Sequence, residues 1–509
     1  GAFLGCEGES IQLGTSVKTV GDLAFSGCTL AGMTLTEGIE SIGSEAFAEY
    51  VFAGGALTLP ESLTYVGEKA FAYSSGYTSV AFNSTLTEVS DYMFYGCSGV
   101  KSVSFGNVRE IGDYAFYGCT GLTSLAIPET VTKLGVGSFR GCRGLSSVTL
   151  PDTIAEISAE AFYDCRSLRT LSLPDSVTLI GEYAFYGSAL SELDFNNTEA
   201  VGAYAFVGTE LTEINAAKLQ TIGSAAFGEL SLTSVELPEA TEVYSYAFYQ
   251  CKTLTYFYAP KLVTLGAFAL SGTKLSSFAS ETVQTIEASA FADCDKIRYV
   301  SVPNLVTLGE QAFAGTGITA FEVGASLNPE NPDLNVSEGL AYKAFVGAHS
   351  LAEITVADGN ASFRALDGVL YRTFVVDDGK VKSEYLELVA YPEAKADGIY
   401  TVAENTLRIA AYAFYDAANL EEVTLPVTLK SIGASAFESC DYLSRVIFLS
   451  AQAPELGGLY DEETGVNYKN FVSGIDNAGN SHLTAVVPDN AVGYDTYIWK
   501  AYFVSFTSS

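Results

Sequence analysis

The sequence predicts a mostly β solenoid, in which many similar coils stack along one axis and share one apolar core. An aromatic residue, nearly always a Phe preceded by Ala, returns at steps of mostly 21 to 24 residues. Each step also holds a short run in which apolar and polar residues alternate. Hydrophobic residues make up 48% of the chain, which is enough to fill an extended core. A period of this length is typical of stacked repeats and not of a compact domain.

The recurring aromatic position sets the number of coils at about 18. We call it the register position. It is occupied by Phe3, Phe25, Phe47, Phe71, Phe94, Phe116, Phe139, Phe162, Phe185, Phe206, Phe227, Phe248, Leu270, Phe291, Phe313, Phe345, Phe414 and Phe437. Glycine is common four residues earlier, as at Gly112, but Ser90, Tyr244 and Glu287 replace it. A site that accepts these residues does not strictly require a positive φ.

Each coil is predicted to contain one short strand. In segments such as LTSLAIP (122–128) and LRTLSLP (168–174), alternate residues are apolar, which indicates a strand with one buried face. The proline that follows ends the strand because it lacks a backbone N–H. A second extended piece around VTLIG (177–181) and a tight or 3₁₀ turn holding Ala-Phe complete the coil. One coil cannot bury its apolar residues alone, so stability depends on neighbouring coils.

All nine cysteines lie three residues after a register position. They are Cys6, Cys28, Cys97, Cys119, Cys142, Cys165, Cys251, Cys294 and Cys440. Other coils place Ser74, Thr209 or Ala348 there, so the position favours a small, weakly polar side chain. Equivalent positions in adjacent coils lie too far apart for disulfides, and no short Cys pair suits zinc. We therefore expect free, buried thiols that fill the core, with no metal and no cofactor.

The repeat resembles a known family. The segment SLRTLSLPDSVTLIGEYAFYGS (167–188) is similar to the BspA-like, or treponemal-type, leucine-rich repeat, and the resemblance covers nearly the whole chain. The expected fold is then an α/β solenoid, mostly β: a right-handed leucine-rich-repeat-like coil with a β-hairpin insertion and a C-terminal cap. The resemblance implies an exported, extracellular protein at a bacterial cell surface. Because the chain opens with GAFLGC (1–6), the tail of a repeat, we expect its signal or anchor to lie upstream of the given chain. It supplies no shared catalytic motif.

The repeat pattern divides the chain into five segments. We expect leucine-rich repeats over 1–323, an expanded repeat with a loop insertion over 324–356, a β-hairpin insertion over 357–403, further repeats over 404–450 and a C-terminal cap over 451–509. The hairpin is predicted from two strand-like runs around DDGK (377–380). The cap contains the only tryptophan, Trp499.

Charge and hydropathy exclude several classes of partner. The formal net charge is −34, and no run of Lys or Arg occurs. Such a chain is repelled by nucleic acid and by anionic lipid headgroups. No apolar run of about 20 residues is present, so no membrane-spanning segment is expected. We expect a monomer.

Catalytic and metal-binding patterns are weak. The two histidines, His349 and His482, belong to no paired motif and are interpreted as surface-loop residues. The acidic loops NPENPDLN (328–335) and YDEETG (460–465) could bind Ca²⁺, but neither has the EF-hand order. We therefore predict no catalytic residue and no metal site. A hydrolase that uses an acidic pair stays open as an alternative.

Candidate binding residues occupy outward positions of several consecutive strands. Most such positions are Ser, Thr or Ala, as at Ser124 and Thr149. The exceptions are Glu192, Asp194, Glu213, Asn215, Glu236, Tyr256, Tyr258 and Tyr299. Neighbouring strands would bring these side chains together, and tyrosines beside carboxylates suit a basic peptide or a sugar.

The function hypothesis is a non-enzymatic binding or adhesion protein. The family resemblance implies that its partners are host extracellular-matrix proteins or other bacterial surface proteins. The architecture is compatible with this role, because solenoids offer long continuous surfaces to macromolecules. One alternative is a carbohydrate-binding module that uses the same acidic and tyrosine residues. Another is a spacer for a domain upstream of the given chain.

Overall fold

The computed structural model describes residues 1–327, 340–377, 382–456, 459–461, 466–468, 483–495, 499 and 503–508. Within them the fold is a mostly β solenoid, which confirms the predicted class. The described part includes the 3₁₀ helix Leu340–Phe345. The chain forms two compact units, Gly1–Ala259 and Pro260–Ser509. Each contains two rows of strands, and neighbouring strands pair in parallel and in register within these rows.

The first unit holds the most regular coils. Its first row consists of Glu7–Gln12, Thr29–Thr34, Val51–Thr58, Ser75–Ala81, Ser102–Ser104, Ser124–Ala126, Ser147–Thr149, Thr170–Ser172, Glu192–Asp194, Glu213–Asn215, Ser234–Glu236 and Tyr256–Tyr258. Its second row consists of Thr19–Val20, Ser41–Ile42, Tyr65–Val66, Glu88–Val89, Glu110–Ile111, Lys133–Leu134, Glu156–Ile157, Leu179–Ile180, Ala200–Val201, Thr221–Ile222 and Glu242–Val243. The alternation in the sequence thus predicted the first row, with one apolar face inward.

The second unit carries the insertion and the C-terminal segment. Its first row contains Ser277–Ala279, Tyr299–Ser301, Ala320–Val323, Glu353–Val356, Ile399–Thr401, Glu422–Leu425, Arg445–Phe448, Thr484–Val487 and Ser505–Ser508. Its second row contains Thr264–Leu265, Thr285–Ile286, Thr307–Leu308, Thr406–Ile409, Ser431–Ile432 and Glu455–Leu456. The antiparallel strands are Phe363–Leu366, Val369–Asp377 and Lys382–Ala390 in the insertion, and Leu459–Asp461 with Val466–Tyr468.

The insertion has three antiparallel strands where the sequence predicts two. The additional strand, Phe363–Leu366, turns into Val369–Asp377 through Asp367 and Gly368, both with positive φ. Asp-Gly is a typical sequence for such a two-residue turn. The third strand, Lys382–Ala390, pairs in parallel with Thr406–Ile409, so the insertion joins the second row and continues it.

The C-terminal segment closes the core and also extends the sheet. Trp499 is buried, and its ring centroid lies 5.3 Å from that of Phe448. Phe448 belongs to Arg445–Phe448, the last strand before the cap. Thr484–Val487 pairs in parallel with Arg445–Phe448, and Ser505–Ser508 pairs with it in turn. These added strands contribute to a total of about 20 turns, against the 18 expected from the register positions.

The register phenylalanines form a continuous column within the first unit. Successive rings from Phe25 to Phe248 are nearly parallel, with centroids 5.0 to 5.8 Å apart. In the second unit Phe291 stacks on Phe313 and Phe414 on Phe437. Each ring is covered on both faces by its neighbours, so no coil buries its own ring without the adjacent coils.

The thiols are free and buried as predicted, but they are also hydrogen-bond donors. All nine cysteines are unpaired, and all but the half-buried Cys6 are buried. The Sγ of Cys142 donates to the carbonyl of Phe116 in the preceding coil at 3.2 Å. The other buried thiols make the equivalent contact at 2.8 to 3.3 Å. Ser74 replaces the thiol with a hydroxyl that donates to Phe47 at 2.6 Å. In these coils the position therefore holds a hydrogen-bond donor as well as a small side chain.

The turn around the register residue uses left-handed backbone on both sides. The residues two before and two after it have positive φ, as at Tyr114 (53°) and Gly118 (67°), or Glu160 and Asp164 (both 58°). Within this turn the N–H groups of Tyr114, Phe116 and Gly118 each donate to the next coil at 2.8 Å. The left-handed residues thus orient alternate backbone N–H groups of this short turn towards carbonyls of the next coil.

The glycine four residues before the register position has another cause. Gly112 does not have a positive φ, in line with the expectation that this position does not strictly require one. A Cβ atom there would lie 2.6 Å from the carbonyl oxygen of Val89 in the preceding coil. Close approach of neighbouring backbones therefore favours glycine. Where Ser90 replaces it, the hydroxyl donates to the carbonyl of Val66.

We predict that Cys142→Ala destabilises the protein more than Cys142→Ser. Alanine loses the buried sulfur and the donor to Phe116, at a cost of about 1–2 kcal/mol. Serine keeps a donor, as Ser74 does in its own coil. Urea unfolding followed by circular dichroism measures the difference, with the half-buried Cys6→Ala as the control. Equal losses for the two Cys142 variants would show that the hydrogen bond contributes nothing.

We also predict that a thiol reagent at pH 8 labels Cys6 alone in the folded protein and all nine cysteines in urea. Burial raises the pKa of Cys97, Cys142 and Cys440 to about 12, so about one such thiol in ten thousand is ionised at pH 8. Unfolded thiols ionise near pH 8.5. The stability linked to the raised pKa is therefore fully present below that pH, and the free energy of unfolding falls as pH rises toward 12. Rapid labelling of several thiols without urea would contradict this.

Candidate binding surface

The first strand row presents a patch of acidic and tyrosine side chains to solvent. We call Glu192, Asp194, Glu213, Asn215, Glu236, Tyr256 and Tyr258 the acidic–tyrosine patch. These seven predicted residues all lie in the first unit and are all exposed. Their inward neighbours, such as Ile214 and Val235, are buried in the core and fix the outward direction of the patch residues.

In-register pairing brings the patch residues together. Asn215 pairs with Glu236, and Glu236 pairs with Tyr258 on the next strand. Glu192, Asp194 and Asn215 line one groove of about 680 Å³, together with Ser147, Thr170 and Ser172 of the preceding coils. The serine and threonine side chains of this groove thus adjoin the acidic residues of the patch.

The carboxylates of the patch are not neutralised by neighbours. In the described residues, Glu192, Asp194, Glu213 and Glu236 form no ion pair. Asp194 accepts the backbone N–H of Asn196 at 3.1 Å, which holds its side chain beside the groove. Four exposed, unpaired negative charges on consecutive strands create a local potential that attracts cationic groups.

Tyr256 and Tyr258 supply the apolar part of the patch. Both lie on Tyr256–Tyr258, and 48% and 46% of their surfaces are exposed. Between them Phe257 points inward, with its ring 5.5 Å from that of Phe248 in an edge-on contact. The core contact holds the strand, so the two phenol rings stand on a rigid support.

Tyr299 belongs to the second unit. It lies on the strand Tyr299–Ser301, opposite Ser277 of the preceding coil, and its ring is exposed. Seven of the eight predicted site residues thus lie in the first unit, and Tyr299 lies in the second.

A second concavity was missed by the sequence interpretation. It lies at the turns of four coils and is lined by Arg140, Arg143, Arg166, Asp164 and three tyrosines. Arg140 lies over the ring of Tyr163 at 3.9 Å from its centroid. The available signal was the recurrence of arginine at matching positions, one residue after Phe139 and four after Phe139 and Phe162.

The arginines of this concavity are largely satisfied by internal partners. Arg143 and Arg166 contact Asp164 at 2.8 and 2.5 Å, and Arg140 pairs with Glu160. Burial opposes ionisation of Asp164, but the hydrogen bonds from Arg166 and Arg143 outweigh it and lower the pKa of this carboxyl. The flanking tyrosine rings stack, and the ring centroids of Tyr163 and Tyr186 lie 4.8 Å apart. The concavity thus resembles a structural network more than an open anion site.

Two of the predicted features lie outside the described residues. The loop 328–335 and His482 are not described, and 460–465 is described only at its first two residues. Within the described part, no helix is long and apolar enough to cross a membrane.

The stacked coils, parallel rows and recurring Ala-Phe turns define the class of leucine-rich-repeat proteins. The family model described as "BspA type Leucine rich repeat region" matches residues 1–122, 109–229, 220–331 and 400–457. The chain belongs to this family, as the resemblance in the sequence indicated. Membership indicates a role in protein interaction, and solenoids of this kind are typically non-enzymatic scaffolds.

Solved structures of bacterial leucine-rich-repeat proteins are similar to this chain. One from Bacteroides ovatus is 18% identical, covers 92% of this chain and 94% of its own, and has a TM-score of 0.45. A leucine-rich cell surface protein from Faecalibacterium prausnitzii is 18% identical over 94% and 87%, with a TM-score of 0.23. The leucine-rich-repeat protein of T. pallidum is 22% identical over 39% and 80%, with a TM-score of 0.26. No curated protein matches the chain.

Proposed function

We propose that this chain is a non-enzymatic, exported binding protein of a bacterial cell surface. Its acidic–tyrosine patch holds a basic, extended segment of a host extracellular-matrix protein or of another bacterial surface protein. The observation that carries this proposal is the set of four unpaired carboxylates beside two half-exposed tyrosines on consecutive strands.

The chemistry of the patch favours a cationic polypeptide. Exposed carboxylates attract Lys and Arg side chains over a distance of about 10 Å at 0.1 M salt. The tyrosine rings offer broad contact area with few rotors to immobilise, and they can also receive a cation on their faces. A partner segment that lies across the strands would meet the carboxylates first and the rings next.

The strand face also suits a binding role mechanically. Each patch residue lies on a strand that pairs with at least one neighbouring strand, and Ser234–Glu236 pairs on both sides. Inward side chains such as Ile214 and Val235 fix these strands to the core. The surface is therefore organised before the partner arrives, which reduces the entropy lost on binding.

A glycan is the second candidate ligand. It is favoured by the two outward rings of Tyr256 and Tyr258 on one short strand, next to the carboxylate of Glu236. A sugar ring packs its apolar face on an aromatic ring and donates its hydroxyls to a carboxylate.

We predict that neutralising the four carboxylates weakens binding about tenfold in low salt, because each exposed charge contributes a few tenths of a kcal/mol. The variant combines Glu192→Gln, Asp194→Asn, Glu213→Gln and Glu236→Gln. Surface plasmon resonance against immobilised extracellular-matrix proteins and a Lys/Arg-rich peptide measures it at several salt concentrations. Native binding should weaken as salt rises, and the variant should lose most of this dependence.

A matched control removes the same charge elsewhere in the first unit. It combines Glu88→Gln, Glu129→Gln, Asp152→Asn and Glu156→Gln, all exposed and without an ion pair among the described residues. Equal weakening in patch and control variants would show that net charge, and not the patch, attracts the partner. Absence of binding to every matrix protein and bacterial surface probe would remove the adhesion proposal itself.

We predict that Tyr256→Ala with Tyr258→Ala weakens protein binding tenfold or more, since each ring acts as an aromatic anchor. The control is Tyr65→Ala with Tyr442→Ala, whose rings are 58% and 67% exposed. The same proteins are applied to a glycan array. A native glycan signal that disappears in the Tyr256/Tyr258 variant, without protein binding, would replace the proposed partner by a carbohydrate.

A further inference from the structure

Three metal-binding side chain types meet where the insertion ends. His349 follows the 3₁₀ helix Leu340–Phe345, Glu393 follows the strand Lys382–Ala390, and Asp416 lies two residues after the register Phe414. All three belong to the second unit. The sequence interpretation treated His349 as a surface-loop residue, but its imidazole lies between the two carboxylates.

The atoms of this cluster are closely spaced. The Nδ1 atom of His349 is 3.0 Å from Oε2 of Glu393 and 2.9 Å from Oδ2 of Asp416. One ligand atom from each residue lies within 4.8 Å of the other two. Two ligands in neighbouring positions on an ion, each about 2.1 Å from it, are about 3.0 Å apart in octahedral and about 3.4 Å apart in tetrahedral geometry.

Glu393 is the most informative member. Only 4% of its surface is exposed. Its Oε1 accepts the backbone N–H of Gly347 at 2.7 Å, whereas its Oε2 accepts no hydrogen bond from the described residues. His349 Nδ1 lies 3.0 Å from this oxygen without forming a hydrogen bond. A buried carboxylate oxygen that accepts no hydrogen bond is costly unless a cation balances it. The unsatisfied atom faces His349 and Asp416, where such a cation would lie.

We propose that His349, Glu393 and Asp416 bind a divalent transition-metal ion of the Zn²⁺ class. One imidazole nitrogen and two carboxylate oxygens are suitable ligands for such an ion. The side chain of His349 is 64% exposed, so the ion can enter from solvent and keep water on its remaining positions.

The site would fasten the insertion to the repeats on either side of it. The carbonyl of Glu393 accepts the N–H of Ala418, and the N–H of Ala394 donates to Leu351. These backbone contacts already align the end of the insertion with the expanded repeat and with the next coil. The ion adds a bond to each of the three segments, and it offsets the repulsion between Glu393 and Asp416.

The test uses the tag-free full chain, stripped with chelator, and Zn²⁺ measured by isothermal titration calorimetry. One equivalent should bind the native protein. His349→Ala and Glu393→Gln should each weaken binding at least tenfold, and the midpoint of thermal unfolding should rise with Zn²⁺ only in the native protein. Glu393→Gln retains an oxygen that accepts the Gly347 N–H, so this variant keeps the fold-supporting contact.

The matched control is His482→Ala, which removes the chain's second histidine. It should bind Zn²⁺ as the native protein does. Absence of binding by the native protein would overturn the proposal, as would native-like binding by both site variants. Asp416→Asn supplies a third variant if circular dichroism shows that either of the others is unfolded. Co²⁺ absorption, which reports nitrogen and oxygen ligation, should be lost with His349→Ala.

Discussion

The whole structure depends on the fact that a coil has no core of its own. The two faces of a register ring such as Phe116 are covered by Phe94 and Phe139 of the adjacent coils, and its backbone carbonyl accepts a hydrogen bond from the Cys142 thiol of the following coil. Apolar burial, ring stacking and backbone pairing therefore all run along one direction, between nearest neighbours. The outward side chains of each coil take no part in these core contacts, so outward positions can change without loss of the core. Because inward and outward positions are independent, the strands from Glu192–Asp194 to Tyr256–Tyr258 carry acidic and tyrosine side chains on the same backbone arrangement that carries Ser and Thr in other coils.

The sequence predicts what repeats and little of what occurs once. The register position, the inward apolar residues and the unpaired cysteines follow from periodicity, because each is confirmed many times in one chain. The thiol donors could not be predicted, since the pattern marks Cys142 but does not show that the carbonyl of Phe116 lies within reach. The left-handed backbone at Tyr114 and Glu160 could not be predicted either, because Tyr and Glu rarely adopt a positive φ.

The insertion shows the opposite limit. The Asp367–Gly368 turn has a recognisable sequence signal, but it stands close to the stronger DDGK signal. Only the hairpin around DDGK was therefore predicted. The cluster of His349, Glu393 and Asp416 has no local signature, because its members come from three segments that only the fold brings together. The exposed patch was accessible to sequence reasoning because strand alternation gives direction and the coil period gives adjacency. Tyr299 met the same criteria, but it belongs to the second unit.

The thiol contacts also give the stack a polarity. Every buried thiol reaches back to the coil before it, so the carbonyl of a newly formed coil stays without this donor until the next coil arrives. A chain that emerges from a ribosome or a translocation pore amino end first would present its coils in that order. Each arriving coil would supply the thiol hydrogen bond that the carbonyl of its predecessor lacks. Assembly would therefore advance from the amino-terminal end towards the carboxyl-terminal end.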